Sequence, residues 1–363
     1  MAADRRQTGA QSGLSGRSWK VASSDPFQSV QPGKLAVLVI GLLSLILAAR
    51  TLYTAPDDAN YIQYFSTDTD WYQDLVSEST DWWLLILNEP LWNVYTIVTG
   101  SALGPETAFR FTLFLSTFLY LFFGSRLAAG NWTIVTLLFV LDSNIGSQMY
   151  YNQIRQGVAL SIFFTLISAL KIPNTPARVA VASGVAALIH SSFIAIFAII
   201  PFYLLKPNLR MIAAIAGAVA ILGISQYIDI YALVNAGRRE GLYTNVGLLN
   251  INYYVVAIPA YGAVFYLIRL AKNSGNKSEW YYLTFTVTCI VLGATFIHQA
   301  AARLTYISEA MVCILIASNI SSKTGIIALA IWVFTLTLFI ISDLQYDPST
   351  LSSMIYRWQN ILQ

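Results

Sequence analysis

The sequence predicts an all-α, polytopic membrane protein with about 11 transmembrane helices, some of them short and broken. Two observations lead there. Of 363 residues, 56% are hydrophobic and only 11% charged, with a mean hydropathy of +0.59, where soluble domains carry roughly 25% charged residues. The apolar residues also fall in long runs, with the charged ones mostly confined to the stretches between them. The net charge of +3 says little about partners, and no nucleic acid is expected. Cys289 and Cys313 sit inside apolar runs as small fillers, without disulfide or metal spacing.

Residues 1–33 are polar and lack the apolar core of a signal peptide, so a disordered cytoplasmic tail is expected. The first span, 35–49, follows Arg5, Arg6, Arg17, Lys20 and Lys34, which places the N-terminus in the cytoplasm. The loop 51–81 carries Asp57, Asp58, Asp68, Asp70, Asp74, Glu78 and Asp81 and no lysine or arginine, so it belongs outside. The run 82–99 is interrupted by Asn88-Glu89-Pro90, and both a buried carboxylate and a helix-breaking proline argue against a span. A crossing here would also put the basic loops 171–178, 206–210 and 269–277 outside. The run is therefore laid on the outer face as two short interfacial helices broken near Pro90, within an outer loop 51–107.

Further spans at 108–123, 131–141, 158–170, 179–189, 193–205, 211–227, 251–268, 281–297, 304–319 and 325–341 complete a transmembrane domain over 34–342. A second outer loop covers 228–250, and 343–363 forms a weakly amphipathic surface tail. In this topology all seven lysines (Lys20, Lys34, Lys171, Lys206, Lys272, Lys277 and Lys323) fall inside. The outer basic residues are Arg50, Arg110, Arg155, Arg238, Arg239, Arg303 and Arg357. Arginine is the residue suited to fork-like contact with phosphate oxygens.

Two pairs of spans, 131–141 with 158–170 and 179–189 with 193–205, fall short of the ~20 residues a crossing needs. Their polar tips carry Arg155 and His190 and are expected to dip into a cavity open to the outer face. Arg155 opens an apolar helix, where free N–H groups and the dipole add to the guanidinium. That makes an anion site, with Tyr151 and Gln156 as adjoining substrate contacts; the alternative is an arginine snorkelling among interfacial tyrosines. His190, in His190-Ser191-Ser192, serves as a hydrogen-bond donor or base, or the serines simply cap the next helix. Arg303 repeats the logic of Arg155 beside His298, opening the helix 304–319, with a surface cap pair as the other reading. Glu309, inside that apolar run, is costly unless paired or functional, and its six-residue offset puts it on a different face from Arg303. Arg238 and Arg239 either close over the cavity onto diphosphate or sugar or are solvated loop charges. Asp57, Asp58 and Glu89 are placed to act as a base on a sugar hydroxyl, against the readings of an acidic outer loop and a structural bend. No phosphate loop, metal-ligand set or hydrolase triad is present in the sequence, and neither metal nor cofactor is expected.

The order of these features is similar to that of the EpsG family of exopolysaccharide-synthesis membrane proteins, relatives of the Wzy repeat-unit polymerases. It comprises an acidic pair after the first span, Glu89-Pro90, Arg155-Gln156-Gly157-Val158-Ala159-Leu160, His190-Ser191-Ser192 and Arg303-Leu304-Thr305-Tyr306. The likeness is most specific at the Arg155 and His190 motifs. It implies a GT-C-like membrane fold with an outward-facing site in the bacterial cytoplasmic membrane. The implied activity joins undecaprenyl-diphosphate-linked oligosaccharide repeat units, the donor and acceptor, into a polysaccharide such as exopolysaccharide or O-antigen. Arg155 and Arg303, with Arg238 and Arg239, would then hold the diphosphate, His190 would orient or deprotonate, and Asp57 or Asp58 would be the base. A chain-length regulator and a flippase of the same pathway are the implied partners. Competing readings are a flippase or transporter for lipid-linked sugars, an O-acyltransferase, and a non-catalytic partner of a polysaccharide assembly machine. A transporter would more naturally place charges through the full membrane depth and show repeats, and the sequence has neither.

Overall fold

The structure, a computed structural model, describes residues 27, 30–53, 55, 57–66, 89–142, 145–146, 150, 153–225, 251–270, 278–295 and 299–346. Among these there are helices and no strands. The 13 α-helices are α1 (Lys34–Ala49), α2 (Asp58–Phe65), α3 (Pro90–Leu103), α4 (Pro105–Leu127), α5 (Trp132–Leu141), α6 (Ile154–Ala169), α7 (Thr175–Ala187), α8 (Ile194–Phe197), α9 (Pro207–Ser225), α10 (Ile251–Leu270), α11 (Ser278–Thr295), α12 (Gln299–Asn319) and α13 (Lys323–Tyr346).

The bundle is organised around α4. Pro105 begins it at the first turn, where a missing N–H costs nothing, and Glu106 and Arg126 lie at the dipole ends that favour them. Its 23 residues span about 34 Å. Among the described residues it is the one helix long and apolar enough by itself to cross a bilayer, and shorter apolar helices surround it. It packs against α1, α2, α3, α5, α6 and α12, while α9–α11–α12 and α10–α13 extend the bundle.

Side-chain pairings set the directions. Arg110 donates to the Ala48 and Arg50 carbonyls at 2.9 and 2.8 Å, and Val30 N–H donates to Arg126 O, so α1 runs antiparallel to α4. Ser161 donates to Ser116 O at 2.7 Å and the Phe164 ring lies 5.6 Å from Tyr120, so α6 runs alongside α4 in the same direction. Arg50, Arg110 and Arg155 therefore share one end of the bundle. Lys34, at the start of α1, and Lys171, just past the end of α6, lie at the other.

Ten of the eleven apolar runs become single helices. The run 193–205 does not: it breaks into the 3-10 segment Ser191–Phe193, α8, and a second 3-10 segment, Ile200–Leu204, which contains Pro201. A proline there removes an intrahelical donor and clashes with the preceding turn. The outer-face run 82–99 also differs. One helix, α3, begins at Pro90 and continues to Leu103; residues 82–88 lie outside the described set. Near the end of the expected disordered tail, Phe27 is buried, edge-on to Trp280 and beneath the Arg178 guanidinium.

Candidate functional site

The site is assembled from the end of α1 outward. Arg50, just past the last turn of α1, donates from Nη1 and Nη2 to the two carboxylate oxygens of Asp58 at 2.7 and 2.5 Å. Both side chains are essentially inaccessible, and Ala55 N–H adds a third bond to Asp58. This pair pins the first turn of α2. Tyr61, one turn on, and Tyr64 then face Arg155. The Arg155 guanidinium lies over the Tyr64 ring at 5.2 Å, and the Tyr61 hydroxyl bonds both the side chain and the backbone of Arg155. Burial holds the Tyr61 hydroxyl above its usual pKa against the pull of the Arg155 charge. Gly100 makes the seat for α2, because a Cβ there would lie 2.0 Å from Phe65 O.

Glu89 joins three segments. Its backbone is left-handed (φ 55°, ψ 57°), a conformation that costs a side-chain-bearing residue ~1–2 kcal/mol. Pro90 then starts α3, and Leu91 N–H bonds Leu188 O near the end of α7. So held, the buried Glu89 carboxylate accepts from Arg155 Nη1 at 2.6 Å through one oxygen. Through the other it accepts from the Ser191 N–H and hydroxyl at 3.2 and 3.4 Å. Arg155 sits in the first turn of α6 with 29% of its side chain exposed. A guanidinium offers five donors. Glu89 and Tyr61 leave some of them over, and Arg155 Nε is buried without a hydrogen bond.

His190 Nδ1 accepts from Ser192 N–H at 3.2 Å and lies 2.8 Å from Ser192 Oγ. Accepting there leaves the proton of a neutral ring on Nε2, which suits a donor better than a base. Asp57 is half-exposed at the start of α2, close enough to Tyr61 to act on its charge. No hydrogen bond to the Asp57 carboxylate is formed among the described residues.

The structure thus brings Glu89, Arg155 and His190 into one cluster with Asp57 at its edge, and separates Asp58, whose carboxylate is spent on Arg50. Gln156 is fully buried within the packing of α6. Arg303 does not open its helix: α12 begins at Gln299, since Ala300–Ala302 are strong helix formers, and Arg303 is the fifth residue in. Glu309 is fully buried beside Tyr261, in a polar group with Ser308, Cys313 and Asp142. Tyr151, Arg238, Arg239 and His298 lie outside the described residues. Sequence reasoning missed Tyr61 and Tyr64, although their three-residue spacing from each other puts the two rings on one side of a helix. It also missed Asp142, a buried carboxylate ending an apolar run. Among the described residues no three His, Cys, Asp or Glu side chains group as metal ligands.

A cavity of about 210 Å³ adjoins the cluster, lined by Leu91, Trp92 and Tyr95 of α3, Thr112, Leu115, Ser116 and Leu119 of α4, Val158, Ser161 and Ile162 of α6, and Ile189. Compared with known proteins, the chain matches the model of the EpsG family over residues 34–358. No curated protein and no solved structure matches significantly.

Proposed function

The chain belongs to the EpsG family, a family of polysaccharide biosynthesis, and from that premise we propose that it is a polyprenyl-diphosphate-dependent glycosyltransferase. It joins undecaprenyl-diphosphate-linked repeat units at the outer face of the cytoplasmic membrane. The observation that carries the reading is the Arg155 cluster. A part-exposed guanidinium with unspent donors stands at a helix N-terminus, steered by Glu89 and flanked by Tyr61 and Tyr64. Its place at the bundle end opposite Lys34 and Lys171 supports the outward orientation.

In the reaction, the acceptor sugar hydroxyl attacks the anomeric carbon of the donor. A new C–O bond forms as the bond to the diphosphate oxygen breaks, and that oxygen leaves with the electron pair. Arg155 and the positive dipole end of α6 stabilise the developing charge. Glu89 is freed from Arg155 as the diphosphate takes its place and accepts the proton of the attacking hydroxyl. Asp57, at the edge of the cluster, is the second acidic group. His190 donates from Nε2 to a sugar or phosphate oxygen.

Purified protein incubated with lipid-linked repeat units should lengthen chains on a polysaccharide ladder. Arg155→Ala should abolish this with unchanged protein in the membrane, and Arg155→Lys should rescue poorly because it keeps charge and loses the fork. Normal ladders from both variants would overturn the assignment.

A further inference from the structure

The 210 Å³ cavity has walls continuous with the charged cluster. Val158 and Ile162 lie one and two turns below Arg155 on the same face of α6; Leu91 follows Glu89-Pro90, and Ile189 precedes His190. Four of its lining side chains carry hydroxyls, and all four are spent inside the fold. Tyr95 and Thr112 bond each other at 2.7 Å, and Thr112 also bonds Ala108 O. Ser116 bonds Leu113 O, and Ser161 bonds Gly157 O and Ser116 O. The hydroxyls therefore ask nothing of an occupant, and the Trp92 indole N–H, buried without a hydrogen bond, is the one side-chain donor of the lining left over, so an occupant of this cavity is largely apolar.

We infer that this cavity is the subsite for the isoprenoid chain of the lipid-linked donor and holds its first units beside the diphosphate; the inference rests on the diphosphate reading of Arg155. In a polyprenyl diphosphate the hydrocarbon begins at the carbon bonded to the phosphate oxygen. An apolar recess must then start within a turn of the phosphate site, as Val158 and Leu91 do. A phospholipid places a glycerol and two ester groups between phosphate and hydrocarbon, and these walls offer them a single donor, the buried Trp92 indole N–H. An apolar cavity of ~150 Å³ takes up a benzene, so this one accommodates roughly one or two isoprene units. The Trp92 and Tyr95 faces suit a chain of alkenes.

The test uses the full-length protein in detergent with two probes, inorganic diphosphate and farnesyl diphosphate, the latter also in a form carrying a diazirine on its first isoprene unit. Wild type should bind farnesyl diphosphate at least about tenfold tighter than inorganic diphosphate, and crosslinks should map to Leu91, Leu115 or Val158. Leu115→Trp, and independently Val158→Phe, should erase the preference while leaving inorganic diphosphate binding unchanged; Arg155→Ala should weaken both ligands. Equal affinity for the two probes, crosslinks confined to other helices, or labelling suppressed equally by phosphatidylglycerol would overturn the subsite. Retained labelling of Leu91 or Val158 without any effect of Arg155→Ala would overturn the diphosphate reading and leave the subsite standing.

Discussion

Asp57 and Asp58 are adjacent in sequence and opposite in circumstance, so isosteric amides at the two positions should give opposite phenotypes. Asp58 is inaccessible and takes two bonds from Arg50 and one from Ala55 N–H. Asp58→Asn leaves Arg50 buried against a neutral group with one oxygen replaced by a donor. Breaking a buried ion pair by changing one partner costs about 3–5 kcal/mol. At roughly 2.1 cal/mol/K per residue, a chain of 363 residues loses about 4–7 °C of melting temperature. A membrane protein that stays helical when unfolded has a smaller unfolding entropy, so the shift is at least this large. Losing the anchor of α2 also releases Tyr61 and Tyr64 from Arg155, so chain lengthening should fall together with stability. Asp57→Asn should leave the melting temperature within about 1 °C, as a half-exposed surface change does, and lower the polymerisation rate. The assay is a thermal-aggregation scan in detergent beside the ladder. A stable but inactive Asp58→Asn protein, or an Asp57→Asn protein destabilised by several degrees, would refute the division of labour.

Other perturbations probe the remaining contacts. Glu89→Gln keeps the shape of the side chain and removes the charge that faces Arg155; chain lengthening should drop at least about a hundredfold with protein levels maintained, and a ladder near wild type would show that Glu89 only steers. Tyr61→Phe deletes the hydroxyl that bonds Arg155 and should raise the donor KM more than it lowers kcat, as read from initial rates at varied lipid-linked substrate. Gly100→Ala places a Cβ 2.0 Å from the Phe65 carbonyl oxygen, so α2 must shift; a melting temperature equal to wild type would contradict this packing. Glu89→Gly and Glu89→Ala both remove the carboxylate and should abolish activity, but glycine alone relieves the left-handed backbone, so the Glu89→Gly protein should melt higher than Glu89→Ala.

The apolar runs were legible because a helix core needs little beyond sustained hydrophobicity, and the structure extends most of them by a few residues at capping or charged ends. Pro105 and Glu106 lengthen α4 at its start, and Gln299–Ala302 does the same for α12. The Phe193–Leu205 run failed for a local reason, Pro201 following a capped break. The motif residues were legible as types but not as partners. Glu89 and Arg155 are 66 positions apart, and Glu89 and Ser191 are 102 apart. Hydropathy orders helices along the chain; it carries no term for which helix ends meet. Asp58 shows the same limit from the other side: an acidic pair after a span reads as two equal carboxylates until one is seen facing Arg50.

The cluster also concentrates departures from local rules. Glu89 adopts a backbone region suited to glycine, and the His190 cap spends an imidazole on a three-residue 3-10 segment. Elsewhere at the same end, Arg50–Asp58 and Arg110 on the Ala48 and Arg50 carbonyls satisfy their charges conventionally. Sequences are locally consistent except where function demands otherwise. A strained carboxylate opposite a part-exposed guanidinium is such an exception. A fully satisfied, unstrained pair would hold Arg155 against Glu89 too firmly to yield to a diphosphate. In the proposed mechanism the diphosphate replaces the single Glu89 bond to Arg155, so binding the anion and freeing the base become one step.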